Sequence, residues 1–115
     1  MLRYRFFPGL LRPIGAPELL LSGLPTDVDH PSKTIVLDGL GGFYLNHGSG
    51  SNACQEQNRV PFSPGKSPCP ELAVRAGVWR FSALRLNQTL ADGVRFATGT
   101  RNMNALTQQP GSGEL

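Results

Sequence analysis

The chain has 115 residues, of which 39% are hydrophobic and 17% charged, and its formal net charge is +3. This length suits one domain and is too short for two, since single domains cluster at about 100–150 residues. The charged share is below the roughly 25% of ordinary globular domains, which argues against both a highly charged disordered tail and an ordinary enzyme surface.

The first segment, residues 1–33, is predicted to be an extended arm punctuated by proline, and it ends in a turn-rich stretch over 24–31. Three arginines and no acid occupy residues 1–17, which is typical of a mitochondrial presequence. However, Pro8 and Pro13 would break the amphipathic helix that such a signal needs. The compartment therefore stays unknown, with a preference for an intracellular or mitochondrial location. No stretch approaches the roughly 20 apolar residues that cross a bilayer, so we expect a soluble chain with no transmembrane segment.

A single small domain is predicted over residues 34–101, and it opens with the clearest β pattern in the chain. Ile35–Leu37 form a short apolar run, and Asp38-Gly39 is a turn-type dipeptide. Phe43–Leu45 can pair back on the first run, which predicts a β-hairpin over 34–46. Residues 47–70 are rich in Gly, Ser, Asn and Pro and are predicted to be a loop.

Residues 70–92 carry the spacing of an amphipathic helix. Apolar or small residues recur at intervals of four and three, and the large members of this stripe are Leu72, Trp79, Leu86 and Leu90. Pro70 suits a first helical position, and Gly93 suits a left-handed cap after the last turn. The pattern predicts a helix over 70–92 with those four residues as its core or anchor positions.

A second β-hairpin over 78–98 is the alternative for the same segment. In that hairpin, Asp92-Gly93 would turn the chain back into Val94–Thr98. The alternation of apolar residues is poor, because Arg80 would share a face with Val78. The expected fold class is accordingly a small irregular α+β domain with long Gly/Pro-rich loops and extended termini. The polar tail, residues 102–115, is predicted to be disordered.

No complete catalytic, cofactor-binding or metal-binding motif is present. The Gly65-Lys66-Ser67 triplet resembles the end of a phosphate-binding loop, but the Gly required five positions earlier is Val60. The two His and two Cys residues have separations that match no paired metal-ligand spacing. We therefore predict no enzyme activity, no cofactor and no metal.

Cys54 and Cys69 are a candidate disulfide. A bridge between them would stabilise the Pro-rich loop by roughly 3 kcal/mol in the chain-entropy model, provided that the compartment is oxidising. Asn87-Gln88-Thr89 is also an N-glycosylation sequon. These two features together are consistent with a secreted protein, although no secretory signal peptide is evident.

The basic residues are mostly arginine, which suits recognition of phosphate or carboxylate groups on a partner. The candidates for partner contact are Arg75, Arg80, Arg85 and Arg95. On the predicted helix, the first three would spread around the cylinder, whereas on the hairpin Arg85 and Arg95 could share a face.

Three functions from different classes are compatible with these patterns. The favoured one is a non-enzymatic accessory or assembly subunit that orders on a larger protein or ribonucleoprotein complex, with RNA or an anionic protein surface as the contact. The second is a small secreted disulfide-linked domain. The third is a weakly selected open reading frame whose product lacks a stable fold. The oligomeric state is left open.

Overall fold

The computed structural model of the chain describes residues 1–26 and 29–115, so part of the turn-rich stretch 24–31 lies outside the described residues. Within these described residues, six β-strands form two sheets, and every pair of neighbouring strands within a sheet is antiparallel. The first sheet has two strands and lies in the N-terminal segment. The second has four strands in sequence order and carries the core.

The strands and helical turns have the following bounds. The two-stranded sheet pairs β1 (Leu2–Arg5) with β2 (Ile14–Leu19), and the four-stranded sheet consists of β3 (Ile35–Leu37), β4 (Gly42–His47), β5 (Gly77–Ser82) and β6 (Val94–Thr98). Two short 3₁₀ segments, Pro70–Ala73 and Leu90–Asp92, precede β5 and β6 respectively.

The hairpin expected over 34–46 is present as β3 and β4, with Val36 opposite Tyr44. Its turn is organised by Asp38, whose Oδ1 accepts hydrogen bonds from the backbone N–H groups of Leu40 at 2.8 Å and Gly42 at 2.7 Å. A short carboxylate that captures nearby amides is the physical reason why aspartate favours turns.

The predicted α+β fold class and the helix over 70–92 are wrong. Helical structure at the start of this segment ends at Ala73, and residues 77–82 form β5 in the middle of the sheet. The segment 77–98 instead forms the hairpin of the alternative, in which β5 pairs with β6. Within residues 1–26 and 29–115, helical structure is confined to the two 3₁₀ segments.

The objection to a strand in this segment fails for a physical reason. Arg80 does project from the face opposite Trp79, but its guanidinium bonds the carboxylate of Asp38 and keeps about 43% of its side-chain surface in solvent. Long-range pairing with β4 and β6 therefore outweighs the local helical spacing.

The core lies on one face of the four-stranded sheet. Phe43 and Leu45 of β4 stand opposite Phe81 and Trp79 of β5, and all four side chains are buried. The rings of Phe43 and Phe81 are stacked with centroids 5.5 Å apart. Cross-strand aromatic pairs of this kind contribute about 0.5–1.5 kcal/mol beyond their buried area.

The N-terminal segment completes the core. Leu21 is fully buried and pairs with Gln88 in an isolated parallel bridge. The Gln88 side chain is also buried, and its amide donates to the carbonyl oxygens of Ser82 and Arg85, both at 2.8 Å. Gln88 therefore joins the end of β5 to the N-terminal segment, because its backbone N–H also donates to Leu20 O at 3.0 Å.

Candidate docking surface

The Cys54–Cys69 disulfide is formed in the structure, with a Cα–Cα distance of 6.1 Å. It closes the loop between β4 and β5, and both cysteines line a cleft of about 370 Å³ together with Glu71 and Leu72. Because both thiols are consumed in this bond, neither cysteine is available as a nucleophile or as a metal ligand.

A histidine and a serine meet at the end of β4, in an arrangement that resembles part of a catalytic site. The Nδ1 atom of His30 lies 2.9 Å from Ser49 Oγ, and that hydroxyl donates to the carbonyl oxygen of Ser51 at 2.6 Å. Since the hydroxyl proton is directed to Ser51, the serine oxygen accepts from the imidazole N–H. A serine nucleophile requires the opposite direction of proton transfer, so this pair links two loops and does not activate the serine.

His47 is fully buried against the ring of Trp79, at a centroid distance of 5.9 Å. Burial, reinforced by the positive charges of Lys33 and Arg75, lowers the pKa of His47 to about 4. The carbonyl groups of Pro25 and Val74 favour the protonated form, but neither ring nitrogen makes a hydrogen bond of normal geometry with the described residues. His47 is therefore neutral at physiological pH and belongs to the core.

Metal coordination has no support from the geometry either. Within the part of the chain that the structure describes, no three His, Cys, Asp or Glu side chains converge closely enough to hold a metal ion.

Exposed apolar side chains of the four-stranded sheet gather at the end where β3 turns into β4. Three leucine side chains are exposed at this end, with Leu37 at 65%, Leu40 at 86% and Leu84 at 76%. Leu84 lies beside Gly41 in the turn, because the backbone N–H of Ala83 donates to the Gly41 carbonyl at 2.8 Å. We call this end of the sheet, with its three exposed leucines and with Arg80 and Arg85, the leucine–arginine patch; Leu37 lies on the face of Phe43, and Arg80 lies on the opposite face with Tyr44.

Both arginines of the patch are held by carboxylates. Arg80 Nε donates to Asp38 Oδ2 at 2.9 Å, and Arg85 lies 2.8 Å from Asp92. Burial alone would raise the pKa of Asp38, but hydrogen bonds from two backbone amides and from Arg80 hold that pKa below its ordinary value. The basic groups of the patch are thus fixed in position at neutral pH.

The other two candidate contact arginines lie elsewhere. Arg95 stacks over the Trp79 ring, with its guanidinium carbon 4.9 Å from the ring centroid, and also bonds the Ala73 carbonyl. Arg75 precedes β5, at the opposite end of that strand from Arg85, and its backbone N–H donates to Glu71 O at 2.7 Å. The four arginines therefore have different surroundings: Arg80 bonds Asp38 and Arg85 bonds Asp92 towards the end of β5 that adjoins the β3–β4 turn, whereas Arg75 lies before β5 and Arg95 lies in β6.

The four residues predicted to form the core or anchor stripe of the helix lie in different parts of the structure. Trp79 is buried in the centre of the sheet, and Leu90 is partly buried against the same cluster. Leu72 lies in the disulfide cleft, whereas Leu86 is 37% exposed near the patch.

Sequence reasoning missed most of the residues that build this surface and the core beneath it. Leu84 is more than forty positions from Leu37 and Leu40 in sequence and reaches the same end of the sheet only through the pairing of β4 with β5. The buried Leu20 and Leu21 did leave a signal, since they belong to an uninterrupted leucine run that is too apolar for an extended arm.

No protein-family model matches the sequence, and neither a curated protein nor a solved structure matches the chain. No helix in the described ranges is long and apolar enough to cross a membrane.

Proposed function

We propose that this chain is a non-enzymatic accessory or assembly subunit, and that it docks on a larger protein complex through the leucine–arginine patch. The observation that carries the proposal is the exposure of Leu37, Leu40 and Leu84 at one end of the sheet. Covering a leucine side chain contributes about 1.5–3 kcal/mol, so a partner that covers all three has a substantial source of affinity. Arg80 and Arg85, already paired with Asp38 and Asp92, would form the polar edge of this interface and orient the partner.

The arginine contacts favour a protein partner over RNA. Arg80 and Arg85 are each bonded to a carboxylate, and Arg95 is engaged by a backbone carbonyl and the Trp79 ring. A phosphate group would have to displace these contacts before it could bind. An apolar patch with two oriented arginines at its edge has the composition of a protein interface, where the apolar centre is surrounded by polar groups.

Co-purification of the tagged full-length chain from its native cells tests this proposal. The patch variant Leu40→Ser/Leu84→Ser should lose the proteins that co-purify with the wild type. The matched control, Phe62→Ser/Val94→Ser, removes two exposed apolar side chains from other surfaces and should keep them. Isolation of the wild type as a free monomer, or equal loss from both variants, would count against docking through the patch.

RNA as a partner is tested separately by the salt dependence of binding. Each phosphate contact made by Arg80 or Arg85 should contribute about one unit to the slope of log affinity against log salt. We expect Arg80→Gln/Arg85→Gln and the wild type to have the same slope. A slope that falls by about two units in the variant would assign the patch to RNA and not to a protein surface.

A small secreted disulfide-linked domain is the second candidate function, and two observations favour it. One is the Cys54–Cys69 bond, which persists only in oxidising compartments for most mesophilic proteins. The other is the exposure of Asn87, the acceptor position of the sequon. Intact-mass measurement on protein from native cells separates the two candidates, because this second function predicts two fewer hydrogens at the cysteines and a glycan that is absent in Asn87→Gln.

A further inference from the structure

The loop that joins β1 to β2 presents a second apolar surface, separate from the leucine–arginine patch. Four large side chains between residues 6 and 11 are exposed, namely Phe6 at 57%, Phe7 at 62%, Leu10 at 45% and Leu11 at 102%. We call these residues the hairpin tip. Single exposed apolar residues are ordinary in proteins, but four within one short loop mark an interaction site.

The hairpin tip is ordered by its own backbone. The N–H of Leu10 donates to the carbonyl oxygen of Phe7 at 3.1 Å, and Gly9 between them has φ of +85°. Proline at the second position and a positive-φ glycine at the third are the requirements of a type II turn, and Pro8 and Gly9 supply them. The apolar side chains are therefore presented in a fixed arrangement, which lowers the entropy lost when the tip binds.

Positive charge flanks the hairpin tip on both strands. Glu18 accepts from Arg3 Nε at 2.8 Å and from Arg5 at 2.7 Å, so one carboxylate neutralises only one of two guanidinium groups. Arg12 adds another positive charge on the second side of the loop. Glu18 is the only acidic residue in residues 1–26, so the hairpin as a whole is cationic.

The distribution of exposure decides between a bilayer and a protein as the binding surface. The exposed apolar groups lie both before and after the Pro8-Gly9 turn, within the short loop that joins β1 to β2. A protein surface covers one side of such a loop unless it has a deep pocket, whereas the bilayer interface surrounds an inserted loop on every side. Aromatic and leucine side chains suit the boundary between headgroups and acyl chains, and the arginines suit acidic headgroups.

We propose that the hairpin tip inserts into the interface of a bilayer that contains anionic phospholipid, with Arg5 and Arg12 contacting the headgroups. This binding goes beyond the proposed docking on a protein complex and uses a different surface. The inserted hairpin tip attaches the chain to the membrane surface and does not cross the bilayer. One hairpin of this size gives reversible attachment, because its apolar area is small compared with that of a spanning segment.

Cosedimentation of the full-length chain with vesicles tests the proposal. The wild type should bind vesicles of phosphatidylcholine with phosphatidylserine more tightly than vesicles of phosphatidylcholine alone. Phe7→Ser/Leu11→Ser should weaken binding by at least about tenfold, from the lost burial of two large side chains. Arg5→Gln/Arg12→Gln should weaken binding to the anionic vesicles by roughly fivefold per arginine and leave the binding to neutral vesicles unchanged.

The matched control is Phe62→Ser/Val94→Ser, which removes two exposed apolar side chains that lie outside both the hairpin tip and the leucine–arginine patch. This control should bind vesicles as the wild type does. A Phe7→Trp variant adds a direct readout, since its new indole should shift its emission to shorter wavelength when anionic vesicles are added, while Trp79 remains buried in the core.

Three results would overturn the proposal. One is the absence of vesicle binding by a wild type that unfolds cooperatively, and another is equal weakening in the tip and control variants. The third is a chain that ignores vesicles but loses a co-purifying acidic protein when Phe7 and Leu11 are replaced, which would assign the tip to a protein partner. None of these results bears on the leucine–arginine patch, whose variants keep the tip intact.

Discussion

Replacing Gly77 with alanine distinguishes the β-sheet from a helix by the sign of its effect. Gly77 begins β5, and a Cβ atom there would lie 2.4 Å from the backbone oxygen of Ala97 in β6 and 3.2 Å from a ring carbon of Trp79. The backbone of β5 or β6 must therefore shift, with a smaller adjustment of the Trp79 ring, and overpacking of this kind costs about 1–3 kcal/mol. In the interior of a helix over 70–92, the same substitution would stabilise the chain by about 1 kcal/mol.

Urea unfolding, followed by far-ultraviolet circular dichroism, measures this difference. Gly77→Ala should lower the unfolding midpoint. The control is Gly65→Ala, because a Cβ at Gly65 meets no atom within 4 Å, and that variant should change the free energy of unfolding by less than about 1 kcal/mol in either direction. A midpoint that rises in Gly77→Ala would refute the placement of β5 next to β6.

Three further predictions concern the core and the disulfide. Trp79→Ala should cost roughly 3–5 kcal/mol of unfolding free energy, because the ring is buried between β4 and β6; an unchanged melting temperature would contradict this. The free energy of unfolding should fall as the pH drops from about 6.5 towards about 4, because His47 is protonated at a higher pH in the unfolded state than in the folded state. The pH dependence of stability over this range should be weaker in His47→Gln, whereas above pH 7 the wild type and the variant should show the same pH dependence. Cys54→Ser/Cys69→Ser should lose about 3 kcal/mol by the chain-entropy model, and a thermal scan that is insensitive to reductant would show that the bond does not stabilise the fold.

The hairpin over 34–46 was predictable because its determinants are local. The apolar run at Ile35–Leu37, the Asp38-Gly39 dipeptide and the returning strand lie within a dozen residues, and the turn is closed by hydrogen bonds to Asp38 itself. No information from distant parts of the chain is needed to recognise such an element.

The segment 70–92 could not be assigned in this way because its structure depends on distant partners. Trp79 recurs at helical spacing with Leu72 and Leu86, but it is also one member of the alternating pair Trp79 and Phe81, which the sheet buries. The choice between these two patterns is made by β4, more than thirty residues away. The salt bridge that allows Arg80 to lie within β5 has a similarly distant origin, in the turn that precedes β4.

The hairpin tip and the leucine–arginine patch also differ in how far the sequence alone can predict them. The hairpin tip is a continuous stretch, and its turn can be recognised from Pro8 and Gly9 alone. The leucine–arginine patch is assembled from the β3–β4 turn and the loop after β5, so its existence follows only once the strand order is known. Arg75, Arg80 and Arg85 are evenly spaced in sequence, but the structure spreads them along β5 and beyond both of its ends.

The position of β5 supports both the core and the leucine–arginine patch, and nuclear Overhauser contacts of Trp79 measure it most directly. In isotope-labelled full-length protein, Trp79 should show cross-strand contacts to Leu45 on one side and to Arg95 on the other, with strand-type Cα chemical shifts over 77–82. Helical shifts across 77–92, with contacts mainly between residues three and four apart, would contradict the sheet and the docking surface built on it.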